Sequence, residues 1–272
     1  MKNIKKLYSV FVLFFISFLV GLFFIGCTRN KKERIVMGLD VRVMPMGYIG
    51  EKGEIVGFDV DLAREVCNKL GKELVFKPIN WEEKENELNS GNVDFIWNAL
   101  SYSEERANKM ELSKAYMKNS QIVVFNKDLD IKNLADLKNY NVCVQKGSTA
   151  EEFLEKHKIS TDFKNFKKVE DMNTCLNEVS AKTCDAAVVD EVVYKGFVKQ
   201  HEAEQPLPLA TIEERIITDE EFVIGFKKGN AKLKNKFEKE LQNLVNSHKA
   251  EEISKKWFGE NLVFLKNVES AK

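Results

Sequence analysis

Proline and histidine are scarce, with four and three residues in a chain of 272. With so few prolines and no Ser/Gly-rich stretch, nothing in the sequence reads as a spacer between independent domains. The histidines (His157, His201, His248) all lie in charged, helical stretches, and H-E-x-x-H, P-loop and G-x-S-x-G motifs are absent. The familiar zinc-hydrolase, nucleotide-binding and serine-hydrolase chemistries therefore lack their residues, and the chain is not expected to be an enzyme. None of the five cysteines is spaced as C-x-x-C, which removes the usual zinc and thioredoxin-like arrangements. No metal or cofactor is expected. Basic charge is not in excess either: Lys+Arg and Asp+Glu each number 42, and residues 1–26 hold three lysines and no acid. The remainder is slightly negative and has no electrostatic footprint for nucleic acid. The lysine-rich stretch 227–239 is broken by apolar residues and Glu238, as on a solvated helix face.

The one long apolar run stands at the start. Lys2, Lys5 and Lys6 precede the uncharged stretch from Leu7 to Ile25, which ends at Gly26-Cys27. A basic cluster followed by such a run reads as a secretion signal, although about 20 apolar residues also suffice for a membrane anchor. Small residue, cysteine and the polar stretch Thr28–Lys32 resemble the lipobox of bacterial prolipoproteins, with Phe24 where leucine is usual. The expectation is a signal peptide over 1–26, lipidation on Cys27 and a lipidated tether over 27–33. Cleaved or kept as an anchor, this segment places the rest outside the cytoplasmic membrane, in the periplasm or at the cell surface.

From Arg34 onward short apolar runs alternate with amphipathic helices. Ile35–Leu39 reads as a strand ending near Asp40, and Ala63, Val66, Cys67 and Leu70 mark one face of a helix stopped by Gly71. Strands follow at 73–76 and 93–100, with a helix at 82–88 between them. This is the βαβαβ pattern of a mostly parallel sheet. The pattern restarts after 121–125: a strand at 142–144, a helix at 150–157, a helix carrying Met172, Cys175, Leu176 and Val179, and a strand at 186–189. A strand at 221–226 and a helix with Leu233, Phe237, Leu241 and Leu244 in register complete it. Cys67 and Cys143 fall at apolar positions as buried thiols, and Cys175 and Cys184 are candidates for a disulfide.

Open α/β sheets bind ligands beyond the carboxyl ends of their strands, where Asp40, Asn98–Ser101, Gln145–Thr149 and Asp190 all lie. Asp190 and Arg106 come from different units, and an acid with an arginine can hold an α-amino acid by both ends. The guanidinium forks onto a carboxylate and the aspartate accepts from an ammonium. Two plainer roles stay open: Arg106 as a surface ion pair with Glu104 or Glu105, and Asp190 as a cap for the helix from Glu191. Trp81 can be ligand wall or core, whereas Trp97, inside a strand, is core.

The segments VGFDVDLA (Val56–Ala63), ELNSGNVDFIWNALSYSEERANKMELSKAY (Glu87–Tyr116), VCVQKGSTAEEF (Val142–Phe153), CDAAVVDE (Cys184–Glu191) and KKWFG (Lys255–Gly259) together resemble the polar amino-acid receptors of ABC importers. These are the glutamine-binding-protein-like members of extracellular solute-binding protein family 3. The resemblance implies an α/β, two-lobe periplasmic-binding-protein-like fold of type II. Lobe 1 would hold 34–117 and 221–267, lobe 2 would hold 118–220, hinge segments would lie near 116–120 and 218–222, and 268–272 would be a tail. It further implies that Arg106 clamps the ligand carboxylate with help from Ser101 and from backbone donors around Ala99 and Ser148–Thr149. Asp190 would accept from the ammonium and Trp81 would wall the side chain. Asp40, Asn98 and Gln145 would tune selectivity. In the first loop Met46 stands in for the family's aromatic residue. A monomer, tethered to the membrane, would deliver the amino acid to an ABC permease. Two alternatives are weighed: a cyclohexadienyl-dehydratase-like enzyme on the same scaffold, which needs a carboxylic acid of near-neutral pKa, and a sensor ectodomain, which needs a cytoplasmic module that does not follow here.

Overall fold

The computed structural model describes residues 32–201 and 206–268; the signal segment and Cys27 lie outside the described residues. β1 (Arg34–Leu39) is buried over most of its length, as in a parallel strand covered on both faces. A small sheet of β2 (Arg42–Val43), β3 (Gly47–Ile49) and β4 (Ile55–Val56) follows. Next comes α1 (Phe58–Lys69), which turns Phe58, Leu62, Ala63 and Val66 into the core. β5 (Glu73–Pro78) leads to a single 3-10 turn, Trp81–Glu83, and to α2 (Lys84–Asn89). β6 (Phe95–Ser101) is buried at every position, which is why its sequence lacks alternation. α3 (Glu104–Lys109) and β7 (Met110–Leu112) close this part.

The second part runs β8 (Met117–Asn126), β9 (Asn141–Gln145), α4 (Thr149–Lys156), β10 (Asn165–Val169), α5 (Met172–Ser180), β11 (Ala186–Asp190) and α6 (Glu191–Gln200). β12 (Leu209–Lys227), α7 (Ala231–Asn246) and α8 (Lys249–Phe258) end the chain. The main sheet has the order β10-β9-β11-β8-β12-β6-β1-β5, with β7 on β12. β1 pairs in parallel with β5 and β6, and β9 in parallel with β10 and β11. The antiparallel pair β8–β12 joins these two parallel groups, with Asn119 opposite Glu220 and Met117 opposite Phe222. Register shifts along that pair bend β12, as bulges do.

Three expectations change. The strand expected at 221–226 extends back to Leu209, because its first part carries Glu213, Glu214 and Arg215 on exposed positions and so hides its periodicity. β10 (NFKKV) was not foreseen; its lysines 167 and 168 face Glu178, Glu151 and Glu155 rather than the core. Cys143, expected as a free thiol, is joined to Cys175, with Cα atoms 5.6 Å apart, because α5 packs on β9 within one core cluster. Cys184 instead has its thiol against the carbonyls of Asn141 and Ala186. The bond closes a loop of 32 residues, so replacing both Cys143 and Cys175 by alanine is expected to lower unfolding free energy by about 4 kcal/mol. Denaturant melts of the oxidised protein and the double variant measure this.

Candidate functional site

One cleft lies beyond the carboxyl ends of β6, β9 and β11 and is lined by Trp81, Asn98, Ala99, Ser101, Arg106, Gln145, Ser148, Thr149 and Asp190, with Val43 and Met172. Its cavity volume is about 20 Å³, room for about one water, so its walls must part to admit anything larger.

Arg106 sits in the first turn of α3, where Ser103 caps the helix by accepting the Arg106 N–H. Its side chain is only 4% exposed. Nη1 donates to Ser101 O at 2.7 Å and Nη2 crosses the cleft to Gly147 O at 2.8 Å. The ion-pair role with Glu104 or Glu105 is thereby replaced by a buried fork. Burial pulls its pKa below the ordinary arginine value, against the charges of Glu152, Glu220, Glu85 and Asp190.

Asp190 ends β11, buried, and makes no capping bond to α6. It accepts instead from Asn119 Nδ2 at 2.8 Å and from Gln121 Nε2. The same two amides donate to Glu220, and the Thr149 hydroxyl donates to the other Glu220 oxygen. Two carboxylates thus share one set of donors. Burial, followed by the charge of Glu220, pushes Asp190 well above the usual carboxylate range.

Asp40 follows β1 but stands behind the cleft wall. It accepts from the Arg42 side chain and from Gln145 Nε2, and burial raises its pKa against the pull of Arg42. Asn98 reaches it by accepting the Asp40 N–H at 3.0 Å. Met46 is a correction: it is wholly buried in the core, and Val43 and Met172 line the cleft in its stead. The cause is the hairpin's docking on α1, where the Phe58 N–H donates to Pro45 O and the Asp59 N–H to Met46 O. Ala99 is a second correction. It lines the cleft with φ 50°, but its N–H is committed to Asp59 Oδ2 at 2.8 Å and so is not available to a carboxylate. Trp81 is in the cleft wall, and Trp97 is core against Tyr116, with ring centroids 5.6 Å apart.

Residues 35–260 match the model for bacterial extracellular solute-binding proteins, family 3. The chain belongs to that family. Among family 3 relatives, the arginine-binding extracellular protein ArtP of Bacillus subtilis (strain 168) is 31% identical over 236 residues, covering 85% of this chain and 88% of ArtP. A solved substrate-binding protein of an ABC uptake transporter from Streptococcus pneumoniae, with bound histidine, is 29% identical with a TM-score of 0.79, covering 86% of this chain and 95% of that one. An ancestral arginine-binding protein bound to glutamine is 31% identical with a TM-score of 0.77, covering 84% and 99%. The fold is therefore the expected type II periplasmic-binding-protein fold. Extracellular solute binding, the expected class of function, is that of the family. Among the described residues no helix is long and apolar enough to cross a membrane, and no cluster of His, Cys, Asp and Glu could hold a metal.

Sequence reasoning missed three buried ionisable residues that bond to the cleft lining. Asp59 is an acid on the core side of α1, where Ala99 N–H and Tyr116 OH both bond it and burial pushes it to about 7. Lys84 shares a helical face with Leu88, an i,i+4 spacing that could have marked it as buried. It donates to Trp81 O and, across the cleft, to Gly147 O at 3.0 Å, and burial pushes it down to about 7. Glu220 gave no local signal, because its burial follows only from the pairing of β12 with β8.

Proposed function

We propose that this chain is the substrate-binding lipoprotein of an amino-acid ABC importer, capturing a polar L-amino acid between two lobes that close over it. The lobes are 34–117 with 221–267, and 118–220, and the crossing strands β8 and β12 are the hinge. Arg106 takes the α-carboxylate, assisted by Ser101 and by the N-terminus of α4 at Ser148 and Thr149, where free N–H groups favour an anion. Asp190 takes the α-ammonium, a cation that relieves the repulsion between Asp190 and Glu220. Trp81 packs on the ligand side chain, and Asn98 and Gln145 face it, with Asp40 behind them. The carrying observation is that a buried guanidinium from one half and a buried carboxylate from the other line one cleft. A lipid on Cys27 tethers a monomer at the membrane, beside its permease.

Two charge-assisted clamps at about 1.5 to 3 kcal/mol each, with side-chain burial, are compatible with micromolar or tighter binding. A thermal-shift screen against the twenty amino acids is the test, since a ligand at 100 times its Kd adds about 2.7 kcal/mol of stability. The expected result is a raised Tm with at least one polar L-amino acid, and no shift with any of them would sink the reading. Prephenate and arogenate belong in the same screen. Conversion of either would instead support the dehydratase; the relatives, however, are named as binding proteins.

A further inference from the structure

Asp40, behind the cleft wall and bonded to the lining residue Gln145, is the buried acid that a cationic ligand side chain would have to reach. Its acceptor capacity is already used. Oδ1 accepts from Arg42 N–H at 3.2 Å and Arg42 Nε at 2.8 Å; Oδ2 accepts from Arg42 Nη2 at 3.3 Å and Gln145 Nε2 at 3.1 Å. A carboxylate offers about four lone-pair sites, so none is left for a ligand. Arg42 Nη1 also pairs at 3.0 Å with Asp171, whose oxygens accept from the Thr174 N–H and hydroxyl. The chain's own arginine therefore takes the acceptor positions on Asp40 that a ligand's guanidinium or ammonium head would need. It competes there as an intramolecular partner, at an effective concentration a free ligand does not reach.

The opposite signal comes from Asn98. Its Oδ1 is engaged by the Asp40 N–H at 3.0 Å, which fixes the amide's orientation, and its Nδ2 is a buried donor with no partner among the described residues. An unpaired buried donor is rare in a folded protein and marks a place for an acceptor. On the hairpin side Nδ2 faces Gly47, which has no side chain to supply one and where a Cβ would lie 2.6 Å away, while Asn98 itself lines the cleft. Val43, Met172 and Trp81 give this end of the cleft apolar walls suited to a methylene stem. Around Asp40 an acidic side chain would meet two carboxylates, Asp40 and Asp171, against the charge of Arg42; the other cations at the cleft, Lys84 and Arg106, are bonded to Gly147 O.

Resting on the amino-acid-binding reading, we infer that the ligand's side chain is uncharged and carries a carbonyl acceptor, as in glutamine or asparagine, and that Arg42 is the residue that excludes basic amino acids. The acceptor bonds Asn98 Nδ2, and the stem lies on Trp81 and Met172.

Isothermal titration of the purified protein with L-glutamine, L-asparagine, L-arginine, L-lysine and L-glutamate tests this. The wild type is expected to bind glutamine or asparagine at least about 10-fold more tightly than the charged three, a difference equal to one charge-assisted bond. Arg42→Met should raise arginine affinity by at least about 10-fold by freeing Asp40, and adding Asp40→Asn to that variant should remove the gain. Arginine or lysine bound as tightly as the amides by the wild type overturns the inference and leaves amino-acid binding standing. So does an arginine-to-glutamine ratio unchanged in Arg42→Met. No heat with any amino acid overturns the amino-acid reading itself. Should Arg42→Met fail to fold, the wild-type ranking decides alone.

Discussion

Arg106→Ala is expected to lose at least about 30-fold in affinity for every L-amino acid the protein binds, because truncating one member of a buried, hydrogen-bonded charge pair costs about 2–5 kcal/mol. The loss is uniform because the α-carboxylate is common to all ligands. The guanidinium spans the cleft, from Ser101 O on one side to Gly147 O on the other. It is also the cation placed to offset Asp190 and Glu220. Without it, the shared amides of Asn119 and Gln121 hold two buried acids with no guanidinium to balance them. Arg106→Lys keeps the charge but not the planar fork, and should fall between wild type and alanine. The fold should survive, since Arg106 contributes no apolar core area and its burial carries a desolvation cost of its own. Titration calorimetry with a circular-dichroism melt of each variant checks both halves. Alanine binding within about threefold of wild type, under 1 kcal/mol, would remove Arg106 from the site.

Gly57→Ala carries the largest expected loss of stability. Gly57 has φ 144°, and a Cβ there would lie 2.2 Å from Met46 O, 2.5 Å from Met46 C and 2.8 Å from Gly47 Cα. Every one of these atoms is backbone, so no rotamer change relieves the overlap. The contact is the seat where the hairpin docks on α1, next to the bonds from Phe58 N–H to Pro45 O and Asp59 N–H to Met46 O. Pushing it apart disturbs Asp59, which holds Ala99 at its left-handed φ, and Val43 in the cleft wall. A loss of at least about 4 kcal/mol is expected, and with it a Tm lower by about 8 °C or more. Gly53→Ala is the control. Its φ of 82° is also left-handed, but nothing lies within 4 Å of the added methyl, so it costs only the intrinsic ~1 kcal/mol of that backbone conformation. Equal melting of the two variants would show that the close approach is not what holds the hairpin.

Much of the sheet was legible because parallel strands announce themselves as short unbroken apolar runs. β1, β6, β9 and β11 are all of this kind; β6, β9 and β11 end in the polar cleft residues Ser101, Gln145 and Asp190, and β1 is followed by Asp40 behind the wall. β10 and the first part of β12 were not, since exposed edge and crossing strands carry charges that imitate loop. The cleft was legible for a related reason. Asp190, Gln145, Thr149, Ser101 and Arg106 each lie within a few residues of a strand end, so local order already confines them to one rim of the sheet.

What the sequence alone determined, then, is the succession of elements and the polar residues displayed at their ends, because both follow from periodicity and strand termination over a few neighbouring positions. Which groups touch was left to the tertiary structure. Glu220 beside Asp190, Cys143 with Cys175 and Asp59 under Ala99 join segments between 30 and 40 residues apart. Val43 in the cleft rather than Met46, and Arg42 across Asp40 and Asp171, are likewise matters of how a hairpin turns once it docks. Such contacts depend on strand register and on which face of a helix meets the sheet, and a shift of one residue in either exchanges a buried partner for a solvent-facing one.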